Sequence, residues 1–168
     1  LDCLRNISAC NQVVRHGGTK AGLVGHELCG KTVGIVGTGN TGIRAAQLYK
    51  AFGCRVLGYS RSQRPAAREA GVEYVALEDL LRSSDIVSVH TPLNESTKGL
   101  ISRERVGQMK QGAILINTSR GPIVDSQAVA DALNSGHLAA FGTDVFETEP
   151  PVAEDHPFFS AKNVVATP

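Results

Sequence analysis

The sequence predicts an α/β fold in which one doubly wound parallel sheet carries helices on both faces. Short apolar, β-branched runs such as Thr32–Val36 and residues 85–90 (DIVSVH) alternate along the chain with segments of helical periodicity. That order is the one right-handed βαβ crossovers require. A glycine-rich turn, Gly34-Ile35-Val36-Gly37-Thr38-Gly39-Asn40-Thr41-Gly42, joins the first strand directly to a helix. Eighteen glycines in 168 residues suit a chain with many tight strand-to-helix turns.

The elements follow in order. Leu4, Ile7 and Val14 lie at helical spacing and predict a helix over 2–15, ended by His16-Gly17-Gly18. A polar, glycine-rich connector runs on to Gly30. Thr32–Val36 is the first strand, and a helix over 41–52 has Ala45, Leu48 and Phe52 on one face. Arg55–Tyr59 is the second strand, and Pro65 opens a short helix over 65–70, where proline is tolerated in the first turn. Residues 73–76 read as a small strand, 77–82 as a helical turn and 85–90 as a buried strand. A helix over 102–109, a strand over 113–118 and a helix over 125–134 capped by Asp125 come next. Strands over 138–145 and 163–166 complete the pattern, with no repeat, low-complexity tract or linker to divide one domain.

Composition excludes several classes of function. Seventeen basic and 16 acidic residues are well mixed and leave a net charge of +1. No basic stripe argues for nucleic acid, and no basic amphipathic helix argues for a membrane surface. No apolar run reaches membrane-spanning length, and no signal peptide is visible. Cys3, Cys10, Cys29 and Cys54 form no CxxC pair and have no histidine at zinc-like spacing. No metal site is therefore expected, and four unpaired thiols fit a reducing, cytoplasmic compartment. The chain opens without an initiator methionine, as expected of a piece of something longer.

Gly37-Thr38-Gly39-Asn40-Thr41-Gly42 follows an apolar strand and opens a helix, the context a Rossmann-type dinucleotide fingerprint needs. Gly37 permits the tight turn, Gly39 lets backbone approach a pyrophosphate, and Gly42 lets helix pack closely on strand. The helix N-terminus adds N–H groups and positive dipole, to which Asn40 and Thr41 belong. A tight βα turn without a ligand is the plainer alternative. At the end of the second strand, where a carboxylate would accept the ribose hydroxyls of NAD, the chain has Ser60, followed by Arg61 and Arg64. Serine can hydrogen-bond a 2′-phosphate and arginine can hold it by bidentate contacts, so NADP is expected in preference to NAD. Two solvated surface arginines would give the same pattern.

Two further segments, AILINTSRGPIVD (113–125) and FGTDVFETEP (141–150), each cross the carboxyl end of a predicted strand, where open parallel sheets bind ligands. Taken alone, Arg120 is equally a surface or interdomain ion-pair residue, and Glu149 a loop acid. Together with GKTVGIVGTGNTG (30–42) and HTPLNESTKGLI (90–101), the two segments closely resemble the D-isomer-specific 2-hydroxyacid dehydrogenases over nearly the whole chain. The resemblance implies hydride transfer between a nicotinamide cofactor and a small 2-oxo or D-2-hydroxy acid, and leans toward the glyoxylate/hydroxypyruvate reductase branch. It makes Arg120 the holder of the substrate carboxylate and carbonyl oxygen, and Glu149 the partner of a catalytic histidine. Thr91, Pro92 and Thr97 would line the adenosine side, although they also fit an ordinary strand-exit turn.

By the same resemblance Thr118, Ser119 and Arg120 would sit near the nicotinamide half and Asp144 would hold its carboxamide. The family's histidine follows a Thr-Pro pair beyond the last strand, and here the chain ends at Thr167-Pro168. His16, His26, His90, His137 and His156 are read as structural or exposed. The family's separate substrate domain and C-terminal segment are not in this chain, so it is expected to bind dinucleotide without turnover. A homodimer joined through this domain is expected by resemblance. The competing reading is a dinucleotide-sensing interaction module like the family's transcriptional co-repressors.

Overall fold

Seven strands, β1 (Thr32–Val36), β2 (Arg55–Tyr59), β3 (Glu73–Tyr74), β4 (Ile86–Val89), β5 (Ala113–Asn117), β6 (Leu138–Thr143) and β7 (Val164–Ala166), are too short and too apolar to stand alone. In the computed structural model, which describes residues 1–19, 21–148 and 154–168, they form one all-parallel sheet. The strand order is β3-β2-β1-β4-β5-β6-β7. Strands buried on both faces read as continuous apolar runs, and β4 (IVSV) is buried at every position. The sequence-based fold class is therefore the observed one.

Helices cover both faces of the sheet. They are α1 (Asp2–Arg5), α2 (Ile7–Arg15), α3 (Asn40–Ala51), α4 (Pro65–Glu69), α5 (Leu77–Ser83), α6 (Arg103–Gln108), α7 (Ser126–Asn134) and α8 (Pro157–Ser160). Alternation along the strands sends side chains to two separate cores. Val33, Ile35, Val56, Ile86 and Ile114 pack with Leu4 of α1, Ala46 of α3 and Ala67 of α4. Val36, Val87, Leu115 and Phe141 pack with Leu80 of α5, Val106 of α6 and Val129 of α7. Strand order reverses between β1 and β4, and the gap above their carboxyl ends is where this architecture places ligands.

Three local expectations are corrected. The single helix expected over 2–15 breaks at Asn6, whose φ of 52° and ψ of 37° lie in the left-handed region that asparagine tolerates. Asp2 Oδ1 accepts the Ser8 N–H at 2.9 Å across the break. Leu4 is consequently buried while Ile7 and Val14 face solvent. On α3 the fully buried residues are Gly42 and Ala46, whereas Leu48 and Phe52 are about half exposed and border a shallow apolar groove with Ala45 and Tyr49. The short helix α8, capped by the side chain of His156, stands where no element was expected.

At the opposite end of the sheet, Asp85 ties β1 to the approach to β5. Its carboxylate accepts the Thr32 N–H at 2.8 Å and pairs with Lys110 Nζ at 2.5 Å. Partial burial raises the Asp85 pKa, but the Lys110 and Thr32 hydrogen bonds outweigh it and hold the carboxyl below its usual range. That contribution is complete above the ordinary carboxylate pKa and disappears as pH falls through the lower native value. Asp85→Asn is expected to lose about 1–2 kcal/mol at neutral pH, the worth of charged hydrogen bonds. Denaturant titrations of the two chains should converge in acid. A gap that persists unchanged below pH 3 would show that the charge of Asp85 contributes nothing.

Candidate cofactor site

The glycine loop is shaped by its own lack of side chains. Gly37 has a φ of +101°, and a Cβ there would stand 2.7 Å from the His90 carbonyl carbon and the Thr91 nitrogen. The loop thus touches the strand exit of β4 across the switch point. A Cβ on Gly42 would stand 2.0 Å from the Gly37 carbonyl oxygen, so α3 sits directly on the turn. Gly39 differs from both: no atom lies within 4 Å of where its Cβ would be, and its extended φ of −72° imposes no strain. That open space, beside the first turn of a twelve-residue helix whose leading N–H groups have no intrahelical acceptor, fits the pyrophosphate of a dinucleotide.

Two cavities meet at this loop. The first, of about 430 Å³, is lined by Gly37, Thr38 and Gly39, by Ser60, Arg61, Ser62 and Arg64, and by His90, Thr91, Pro92 and Thr97. The second, of about 460 Å³, is lined by Thr41, His90, Thr91, Pro92, Leu93, Thr118, Ser119 and Arg120. His90, Thr91 and Pro92 form the shared wall, so one crevice runs from the arginines after β2 to the arginine after β5.

Arg61 has no hydrogen-bond or ion-pair partner among the described residues, whereas Arg64 Nη1 donates to Asn40 Oδ1 at 2.8 Å. The hydroxyl of Thr97 is engaged within the wall of the first cavity. It donates to the Pro92 carbonyl at 2.7 Å and accepts the Asn94 N–H at 2.8 Å.

The turn carrying Arg120 is built by Asn117, which is buried at the end of β5. Its Nδ2 donates to the Arg120 carbonyl at 3.0 Å and its Oδ1 accepts the Ser119 N–H at 3.1 Å. Among the described residues the exposed guanidinium of Arg120 bonds only to the Ser119 carbonyl, 2.6 Å away, and it borders the second cavity. Gly121 then packs against the main chain of Phe146, and a Cβ on it would stand 2.0 Å from the Phe146 carbonyl carbon. Asp144 is exposed one residue beyond β6 and borders neither cavity. Glu149 lies outside the described residues.

Two of the histidines read from sequence as structural or exposed have defined contacts here. His90 is part of the shared wall, hydrogen-bonded through Nε2 to Ser88 Oγ at 2.9 Å. Burial lowers its pKa, which keeps a neutral imidazole between the two cavities. His156 pairs through Nε2 with Glu147 Oε2 at 2.8 Å, packs on Phe146 and Phe158, and caps α8. Burial raises the Glu147 pKa, yet hydrogen bonds from His156 and Ser126 prevail and hold it low. The His156–Glu147 pairing is made across a loop, so nothing in the local sequence pattern marks it. Among the described residues no cluster of three or more metal-ligating side chains is present.

Comparison with known proteins agrees with this geometry. The family profile described as D-isomer specific 2-hydroxyacid dehydrogenase, NAD binding domain, matches residues 1–168. A glyoxylate reductase of Aeropyrum pernix is 50% identical over 147 residues, 87% of this chain and 44% of the relative. A hydroxypyruvate reductase of Thermotoga maritima is 42% identical over 172 aligned residues, 100% of this chain and 55% of the relative. A solved structure described as the pyruvate reductase of Chlamydomonas reinhardtii superimposes with a TM-score of 0.93 at 40% identity. It covers 99% of this chain and 55% of its own. The chain spans about half the length of the curated relatives it matches. By sequence and by fold alike, the chain belongs to the D-isomer-specific 2-hydroxyacid dehydrogenases, as their NAD-binding domain.

Proposed function

We propose that this chain holds NADP(H) in preference to NAD(H) within an oxidoreductase that interconverts a small 2-oxo acid and its D-2-hydroxy acid. The supporting observation is the single crevice with Ser60, Arg61 and Arg64 at one end and Arg120 at the other. Gly37, Gly39, Asn40 and Thr41 would hold the pyrophosphate, and Ser60 with the two arginines the 2′-phosphate. When bound, the nicotinamide supplies hydride transfer to or from the carbon that bears the oxygen. Arg120, a fixed planar cation on a rigid turn, would bind the carboxylate and polarise the neighbouring carbonyl oxygen. Glu149 is assigned by resemblance to hold a histidine in its charged form for proton transfer, with Asp144 on the carboxamide.

The reductase names of the relatives favour glyoxylate or hydroxypyruvate as substrate. A homodimer joined through this domain follows from the resemblance and suits the exposed apolar residues Ile7, Val14 and Val24. Four free cysteines suit a cytoplasmic location, and no described helix is long and apolar enough to cross a membrane. No feature of the site favours the regulatory-module reading.

Fluorescence titration of the chain with NADPH and NADH tests the cofactor assignment. Arg61→Ala is expected to weaken NADPH about tenfold or more, the loss of charged hydrogen bonds, and NADH by less than about twofold. Added salt should narrow the difference, because Arg61 is exposed. Equal loss for both cofactors would reject the role of Arg61.

A further inference from the structure

We infer that Tyr74 is a positioning residue for cofactor specificity: its hydroxyl fixes the Arg61–Arg64 loop against the glycine loop. The inference rests on the NADP(H) reading above. Tyr74 ends β3, the edge strand of the sheet, 36 residues beyond the glycine-loop residue it meets and 10 beyond Arg64. Its hydroxyl oxygen lies 2.6 Å from Thr38 Oγ1, between the first two glycines of the loop. The same oxygen accepts the Arg64 backbone N–H at 3.0 Å. One phenol can therefore accept a hydrogen bond from the arginine loop and donate one to the glycine loop.

Each party to this link is itself immobilised. Thr38 is 1% exposed, and its methyl faces the space above Gly58, where a Cβ would stand 3.2 Å away. The ring of Tyr74 carries the Arg68 guanidinium at 5.2 Å from its centroid, and Arg68 Nη2 also donates to Gln63 Oε1. Arg64 extends its own guanidinium to Asn40 at the head of α3. Residues 63 and 64 are thus anchored by main chain and side chain, while Ser60, Arg61 and Ser62 border the cavity immediately before them. An unanchored loop would have to order itself as it met a 2′-phosphate, and that entropy would reduce affinity for the phosphorylated cofactor alone. The hydroxyl of Tyr74 removes that cost in advance.

Tyr74→Phe keeps the ring and its contact with Arg68 but leaves the Arg64 N–H without its acceptor. Titration is expected to show NADPH weakened about fivefold, the worth of one net hydrogen bond, with NADH nearly unchanged. In the Arg61→Ala background the same substitution should change the NADPH-to-NADH affinity ratio less than it does alone, because one of the two arginines on the loop is gone. Thr38→Val cuts the same link at its glycine-loop end, and should shift the NADPH-to-NADH ratio in the same direction as Tyr74→Phe. The role of Tyr74 is overturned if Tyr74→Phe weakens both cofactors alike or neither. It is equally overturned if its effect adds fully to that of Arg61→Ala, or if Thr38→Val leaves the ratio unmoved. An Arg61→Ala chain that itself keeps the original ratio removes instead the NADP(H) reading. A merely structural tyrosine would lower the melting temperature without moving the ratio.

Discussion

Gly42→Ala is expected to destabilise the fold by about 3 kcal/mol and abolish dinucleotide binding, whereas Gly39→Ala should leave stability intact and lose only the binding. The difference lies in what each new methyl would meet. At position 42 it would stand 2.0 Å from the carbonyl oxygen of Gly37, and neither backbone segment can give way. Helix α3 would have to lift from β1 and take the buried contacts of Ala46 with it. Overpacking of that kind costs about 1–3 kcal/mol or more. In a domain of this size that is roughly 10 °C of melting temperature.

At position 39 the methyl meets no atom within 4 Å and the backbone is extended. The melting temperature should stay within about 2 °C, inside the usual range for substitutions that touch nothing. The methyl would enter the first cavity, so NADPH and NADH should weaken together by about tenfold or more, in contrast to the selective effect at Arg61. Thermal melts paired with titrations of both variants decide the matter. A Gly39→Ala chain that binds both cofactors as before would show that the pyrophosphate does not pass there.

The second large effect is expected at Gly121. A methyl there would be driven into the main chain of Phe146, 2.0 Å from its carbonyl carbon and 2.4 Å from the nitrogen of Glu147. The turn that presents Arg120 and the loop leaving β6 are therefore seated on one another. Gly121→Ala forces them apart and should cost about 3 kcal/mol. It would also draw Glu147 from its hydrogen bonds with Ser126 and His156, which join the loop to α7 and α8. Thermal unfolding is again the measurement, and an unchanged melting temperature would mean that the two loops do not touch. Because Asn117 holds the Arg120 turn from the other side, binding to the adenosine end of the crevice should survive in whatever fraction remains folded.

What was legible beforehand was what short-range geometry dictates. The strand, glycine loop and helix over 32–51 follow from local rules, since Gly42 answers the carbonyl of Gly37 just before it in the chain. The cap of α7 was readable for the same reason: Asp125 Oδ1 accepts the Ala128 N–H at 2.9 Å, three residues on. The break at Asn6 was not, because Leu4, Ile7 and Val14 keep helical spacing through it and only the left-handed backbone of one residue differs.

Helix α8 spans four residues, too few for any period to register. The partner of His156 could not be read because it is nine residues distant across a loop. Tyr74 was invisible for a deeper reason, since a strand residue of ordinary β propensity gains its role only when the sheet sets it beside both the loop after β2 and the glycine loop after β1.

Residues 61–64 are exposed and belong to neither hydrophobic core, although they form one end of the crevice. The segment that would tell one cofactor from the other is thus decoupled from the packing that keeps the domain folded. Selection can rewrite it with few stability consequences, and with it the choice between the cell's biosynthetic and catabolic pools of reducing equivalents. A lineage that carries this fold is free to reconnect its enzyme to a different electron supply by changing a handful of surface positions, while the sheet beneath stays as it is.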